Sequence, residues 1–133
     1  MKYLLDTQIW LWLALEPQRL RREVADCLAS PDNELWLSPV SVWEVLLLAE
    51  KGRIEIGDAV TWVRKALENQ PFREARLSHE IAMESRRLDL PHQDPADRFI
   101  AATAIIQGLI LITSDQHLID CKRVPTLSNR PTP

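Results

Sequence analysis

The run Leu109-Ile110-Leu111-Ile112 constrains the fold more than any other feature of this chain. A continuous apolar run of this length is what a strand shows when both of its faces are covered, as in a parallel sheet. Tyr3-Leu4-Leu5 and Leu35-Trp36-Leu37 read as two further short strands, Phe72 to Leu77 as a third, and Val124 to Leu127 as an edge strand. Helical patterns fill the intervals. Gln8 to Leu15 follows the first strand, and Leu20, Val24, Cys27 and Leu28 form an amphipathic stripe at i, i+4, i+7 and i+8. Ser38-Pro39 predicts a helix with serine as cap and proline in its first turn, closed by Gly52. Asp58 caps a helix to about Asn69, Ser78 opens one to about Leu88, and Asp94-Pro95 starts one that Gly108 ends. Strands alternating with helices predict the α/β class, with a central parallel sheet of about four to five strands sandwiched by helices.

At 133 residues the chain has the length of one domain. A chain of this size buries roughly 65–70% of its unfolded surface and needs no disulfides. Cys27 and Cys121, far apart and in no paired motif, are therefore expected to be packing residues of a reducing compartment. No apolar run approaches the roughly 18 residues of a membrane span. Lys2 precedes an apolar stretch as in a secretory signal, but Asp6 interrupts it and no small-residue cleavage site follows. The expectation is a cytoplasmic protein with no membrane association. A net charge of −3 does not by itself suggest a nucleic-acid partner, because phosphate-binding surfaces are normally basic.

Four acids carry the functional reading. In open parallel sheets, ligands bind beyond the C-terminal ends of the strands. Asp6 directly follows the first strand, and Asp115 follows the strand at 109–112, so both are expected on one rim. Either could equally cap the helix that follows it. Glu44 is the only charged residue between Pro39 and Ala49, and its helical neighbours Val40, Leu47 and Leu48 are apolar. Glutamate is almost never buried without a partner. A capping box of Ser41 with Glu44 is the structural alternative. Pro39 argues against it, because Ser38 then becomes the cap and Glu44 falls inside the helix. Asp97 shares a face with Ile100, Ala101 and Ala104 and points inward, while Asp94 is the cap.

Two carboxylates ~4 Å apart repel by roughly 4 kcal/mol at an effective dielectric of about 20. Such a cluster persists where it binds hard cations through oxygen, and magnesium or manganese suits it. The ions would offset the negative charge of the acids and serve an in-line phosphoryl displacement.

The segments LLDT at 4–7, SPVSVWEV at 38–45, DPADRFIAATA at 94–104 and LITSD at 111–115 resemble, in order and spacing, the blocks of PIN domains. Among these the chain looks most like the VapC-like toxins of bacterial toxin–antitoxin pairs. The resemblance places the family's acids on Asp6, Glu44, Asp97 and Asp115, as metal ligands and catalytic residues. It implies a supporting hydroxyl at Thr113 or Ser114. It also implies Mg2+-dependent (or Mn2+-dependent) endonucleolytic cleavage of RNA, a role in inhibiting translation or growth, a homodimer, and a cognate antitoxin that blocks the site. The PIN-like domain would span residues 1–128, leaving 129–133 as a disordered tail. One departure is Gln93, where relatives often carry a basic residue before the DP pair.

Arg98 is a further candidate, either contacting phosphate or bracing Asp97. His79, His92 and His117 lack paired spacing and read as isolated surface histidines. Arg21-Arg22, Arg64-Lys65 and Arg86-Arg87 read as solvated helix faces. Trp10, Trp12 and Trp43 lie on the two helices nearest the rim, as core or as an interface that the antitoxin would cover. Two rival functions remain: a catalytically degenerate PIN-like module that only binds protein or RNA, and a phospho-accepting receiver. A receiver wants paired acids after the first strand and a lysine after a late one. Asp6 stands alone, and the first lysine beyond Asp115 is Lys122.

Overall fold

The structure, a computed structural model, describes residues 1–91 and 93–131. Its strands are β1 (Lys2–Leu5), β2 (Glu34–Leu37), β3 (Arg73–Glu74), β4 (Ile110–Thr113) and β5 (Thr126–Ser128). They form one sheet in the order β3-β2-β1-β4-β5, with every neighbouring pair parallel. The helices are α1 (Thr7–Leu15), α2 (Arg22–Ala29), α3 (Pro39–Glu50), α4 (Ala59–Asn69), α5 (His79–Arg87), α6 (Pro95–Gln107) and α7 (Gln116–Asp120), with a 3-10 turn at Pro17–Arg19.

Alternation along the strands separates two cores, as the two-residue period of a strand requires. Leu4 and Leu111 point to one face, where Ile81, Ile100, Ala101 and Leu118 pack on them. Leu5 and Ile112 point to the other, against Ile9, Trp10, Val24, Val45 and Val63. These residues are nearly all under 2% exposed, which is why the run at 109–112 contains no polar position. The helix ends follow the sequence signals. Ser38 accepts a hydrogen bond from Val40 N at 3.0 Å at the start of α3. Gly108 ends α6 in the left-handed conformation (φ 67°), which a glycine adopts without a Cβ penalty.

Two expectations need correction, and one short helix lies outside the apolar pattern. The third strand shrinks from Phe72–Leu77 to Arg73–Glu74. It lies at the sheet edge, both of its residues are exposed, and Pro71 supplies no N–H just before it. Helix α7 has no counterpart in the apolar pattern. At five residues it is too short for periodicity to show, and its signal is the cap Asp115. The chain is also anchored past residue 128. Asn129 is buried, accepts from Arg21 N at 2.8 Å and donates to Arg19 O at 3.1 Å. Arg130 Nε donates to Ser114 O at 2.5 Å. A polar pair such as Asn-Arg reads as tail in sequence because its partners are more than a hundred residues away in the case of Asn129.

Candidate active site

The sheet order puts β1 at the centre, with β2 on one side and β4 on the other. The chain therefore reverses its winding direction between β1 and β4, and the crevice beyond their C-terminal ends is the switch point where such sheets bind ligands. Leu5 pairs with Ile112 in the parallel register. The next residues, Asp6 and Thr113, consequently emerge side by side at that crevice.

Asp6 is buried, and both of its carboxylate oxygens are engaged. Oδ1 accepts from Ile9 N at 2.9 Å as the cap of α1, and Oδ2 accepts from the Thr113 hydroxyl. Asp6 is thus a cap and a rim acid at once, so the two readings of this residue were never exclusive. Asp115 behaves alike: Oδ1 accepts from His117 N at 2.9 Å and caps α7. The Thr113 hydroxyl also accepts from Asp115 N at 3.0 Å, so one buried oxygen ties the acid after β1 to the acid after β4.

Glu44 stands half-buried on α3, six residues after the Ser38 cap, and forms no capping box with Ser41. Its Oε1 accepts from the Thr7 hydroxyl, which also lies 2.9 Å from Ser41 Oγ. Thr7 is a site residue that single-residue reasoning passed over. Its signals were its place beside Asp6 at the head of α1 and in the segment LLDT at 4–7. Asp97 is half-buried in the first turn of α6, while Asp94 caps that helix by accepting from Ala96 N at 3.0 Å.

Asp6, Glu44, Asp97 and Asp115 line one cavity of about 380 Å³ together with Thr7, Gln8 and Ser114, over an apolar floor of Leu11 and Leu48. Burial, and then the neighbouring Asp94, Glu44, Asp115 and Asp6 charges, push Asp97 up from 3.8 to about 7. Burial raises Asp6 from 3.8 to about 6 against the lowering effect of its bonds from Thr113 and Ile9 N, and the Asp115 and Glu44 charges add to the rise. Glu44 is also raised, by burial first and by Asp94, with the Thr7 bond opposing. Among the described residues, the side chains as placed do not converge in threes on a single ion. The donor set, all hard carboxylate oxygens, nevertheless fits a divalent cation of the magnesium type.

Of the supporting candidates, Thr113 holds Asp6 and Ser114 lines the cavity. Arg98 does neither. It is 5% exposed, and its guanidinium donates to the carbonyls of Ser85 (3.0 Å), Leu88 (3.0 Å) and Leu90 (3.2 Å), which pins the α5–α6 connection. An arginine next to a site acid in sequence lies about 100° around the helix from it, which is why adjacency misled here. His79 and His117 are exposed, and His92 lies outside the described residues. Trp10 is core, 1% exposed against Trp62 and Phe72, whereas Trp43 is 54% exposed on α3.

Comparison with known proteins identifies the family and the fold. Residues 3–124 match the PIN domain family. The chain is 34% identical over 119 residues to Ribonuclease VapC22 of Mycobacterium tuberculosis, a match covering 86% of this chain and 88% of that one. VapBC2 from Rickettsia felis, solved bound to a promoter DNA fragment, superposes with a TM-score of 0.73 at 16% identity, covering 96% of this chain and 98% of the other. A toxin–antitoxin complex from Klebsiella pneumoniae gives a TM-score of 0.67 at 23% identity, covering 98% and 99%. The chain belongs to the PIN domain family. A receiver function is thereby set aside.

Proposed function

We propose that this chain is a metal-dependent endoribonuclease and the toxin of a toxin–antitoxin pair. The observation that carries the reading is the meeting of Asp6, Glu44, Asp97 and Asp115 in one cavity at the switch point of the sheet. The similarity to a VapC ribonuclease supports RNA as the substrate. The antitoxin partner is supported by the toxin–antitoxin complexes among the structural neighbours.

The four carboxylates would hold Mg2+ or Mn2+, which when bound supplies positive charge that activates water and offsets charge on the leaving oxygen. The chain's own groups do the positioning. Thr113 fixes the Asp6 carboxylate and, through Asp115 N, the start of α7; Thr7 fixes Glu44. Leu11 and Leu48 keep the floor apolar, which strengthens every charge interaction above it. A catalytically degenerate binding module remains the second reading, and intact acids at all four positions argue against it.

We expect the protein to act in the cytoplasm, and no helix among the described residues is long and apolar enough to cross a membrane. We further expect a homodimer, and an antitoxin that covers the exposed Trp43. The test is cleavage of single-stranded RNA by purified protein with Mg2+, with Mn2+ and with EDTA, beside Asp6→Asn. Cleavage that needs a divalent ion and vanishes in Asp6→Asn is expected. Undiminished cleavage in EDTA would refute the metal role, and RNA binding without cleavage under every condition would favour the degenerate module.

A further inference from the structure

A second chamber of about 290 Å³ opens beside the acid cavity and shares Gln8, Leu11 and Leu48 with it. Trp12, Arg19 and Arg53 also line it. We propose that this chamber is a nucleotide subsite of the RNA strand, with Arg19 and Arg53 as phosphate-positioning residues; this rests on the ribonuclease reading above.

The electrostatics call for such a site. The cavity holds four acids and no lysine or arginine, and the whole chain carries a net charge of −3, so apart from bound metal ions the cavity offers no cation to a polyanion. Cations at an adjoining wall would hold the backbone on either side of the reacting phosphate. Neither the acid cavity nor this chamber is lined by a residue of the basic pairs Arg21-Arg22, Arg64-Lys65 and Arg86-Arg87. Arg21, for one, donates to the carbonyls of Ser128 (3.0 Å) and Arg130 (3.2 Å) and pairs with Glu23. Arg19 and Arg53 are both exposed and both reach the chamber.

Arg19 also lies over the Trp12 ring, 5.6 Å from guanidinium to centroid. An indole and an arginine plane together form the kind of surface on which unpaired bases stack. Glu16 faces the same chamber and pairs with Arg19 at 3.3 Å. That pair is exposed and of the strength that a phosphate readily displaces. A chamber lined by an indole, apolar side chains and two exposed arginines complements single-stranded RNA in both charge and shape.

The test compares wild type, Arg19→Gln/Arg53→Gln and Arg86→Gln, the last removing a charge from the exposed face of α5. The readouts are steady-state cleavage of a fluorescein-labelled single-stranded RNA of mixed sequence and, in an Asp6→Asn background, anisotropy of the same RNA across a salt series. For the double variant we expect KM to rise about tenfold (about 1.4 kcal/mol, or about 0.7 for each arginine) with kcat nearly unchanged. The slope of log affinity against log salt should fall by about 1.4, or about 0.7 for each lost phosphate contact on a single strand. Arg86→Gln should match wild type in both. Wild-type cleavage with the same KM and salt slope in the double variant would overturn the subsite and leave the nuclease reading standing. A wild type that neither binds nor cleaves RNA would overturn both.

Discussion

Removing the Asp97 charge should make the metal-free protein more stable while destroying its activity. Asp97 is held up from 3.8 to about 7, first by burial and then by the Asp94, Glu44, Asp115 and Asp6 charges. At about 1.4 kcal/mol per tenfold change in proton affinity, that displacement corresponds to about 4 kcal/mol. Because the side chain is only half-buried, screening by solvent reduces this to about 2 kcal/mol. Below pH 3.8 the carboxyl is protonated in both folded and unfolded chains and contributes nothing. As pH rises towards 7 the unfolded chain ionises first, so stability is lost across that window, and above it the whole penalty stands. Asp97→Asn keeps the shape and has no such penalty. With about 2.1 cal/mol/K of unfolding entropy per residue, a gain of about 2 kcal/mol over 133 residues raises Tm by about 7 °C. The assay is thermal unfolding in EDTA at about pH 8 and again at about pH 4, where linkage makes the gap between variant and wild type close. Adding magnesium at the higher pH should stabilise wild type more than the variant, since bound ligand stabilises the folded state. A variant less stable than wild type in EDTA, or a gap that ignores pH, would refute the account and make Asp97 a structural residue.

Glu44→Gln should leave the fold intact and lower cleavage at least about tenfold, a loss of about 1.4 kcal/mol of transition-state stabilisation, read from rates against magnesium concentration. A wild-type curve would remove Glu44 from the site. Thr113→Val keeps the volume but deletes the hydroxyl that joins Asp6 to Asp115 N, so the magnesium concentration for half-maximal rate should rise several-fold. An unchanged magnesium dependence would mean that Asp6 holds its position without it. Arg98→Met should lower stability by about 3 kcal/mol or more, because three buried carbonyls lose their donor at about 1–3 kcal/mol each, while the rate per folded molecule stays within about twofold. Lost activity with intact stability would restore Arg98 to the site.

The α/β class and nearly all the helix boundaries were legible in the chain, because apolar periodicity, proline, glycine and capping residues act over a few neighbours. Ser38-Pro39 and Gly108 define their helix ends through contacts within four residues, and the structure agrees. The four acids were legible for a related reason: a carboxylate in an apolar helix such as Glu44, or directly after a buried strand such as Asp6, is costly unless something uses it. What the sequence left open is how distant segments meet. Strand order depends on which apolar edges pair across the whole chain, and only that order puts Asp6 and Thr113 side by side at the crevice. The pairing of Thr7 with Glu44, 37 residues apart, was equally invisible. Arg98 shows the converse, since its position beside Asp97 in the chain said nothing about the three carbonyls that hold it away from the cavity. Arg19 and Arg53 are ordinary surface arginines in sequence, and they gain a shared wall only because α1 and α3 pack against each other. Local physics determined the elements and singled out the four acids as candidates; the cooperative packing of the sheet decided which side chains meet.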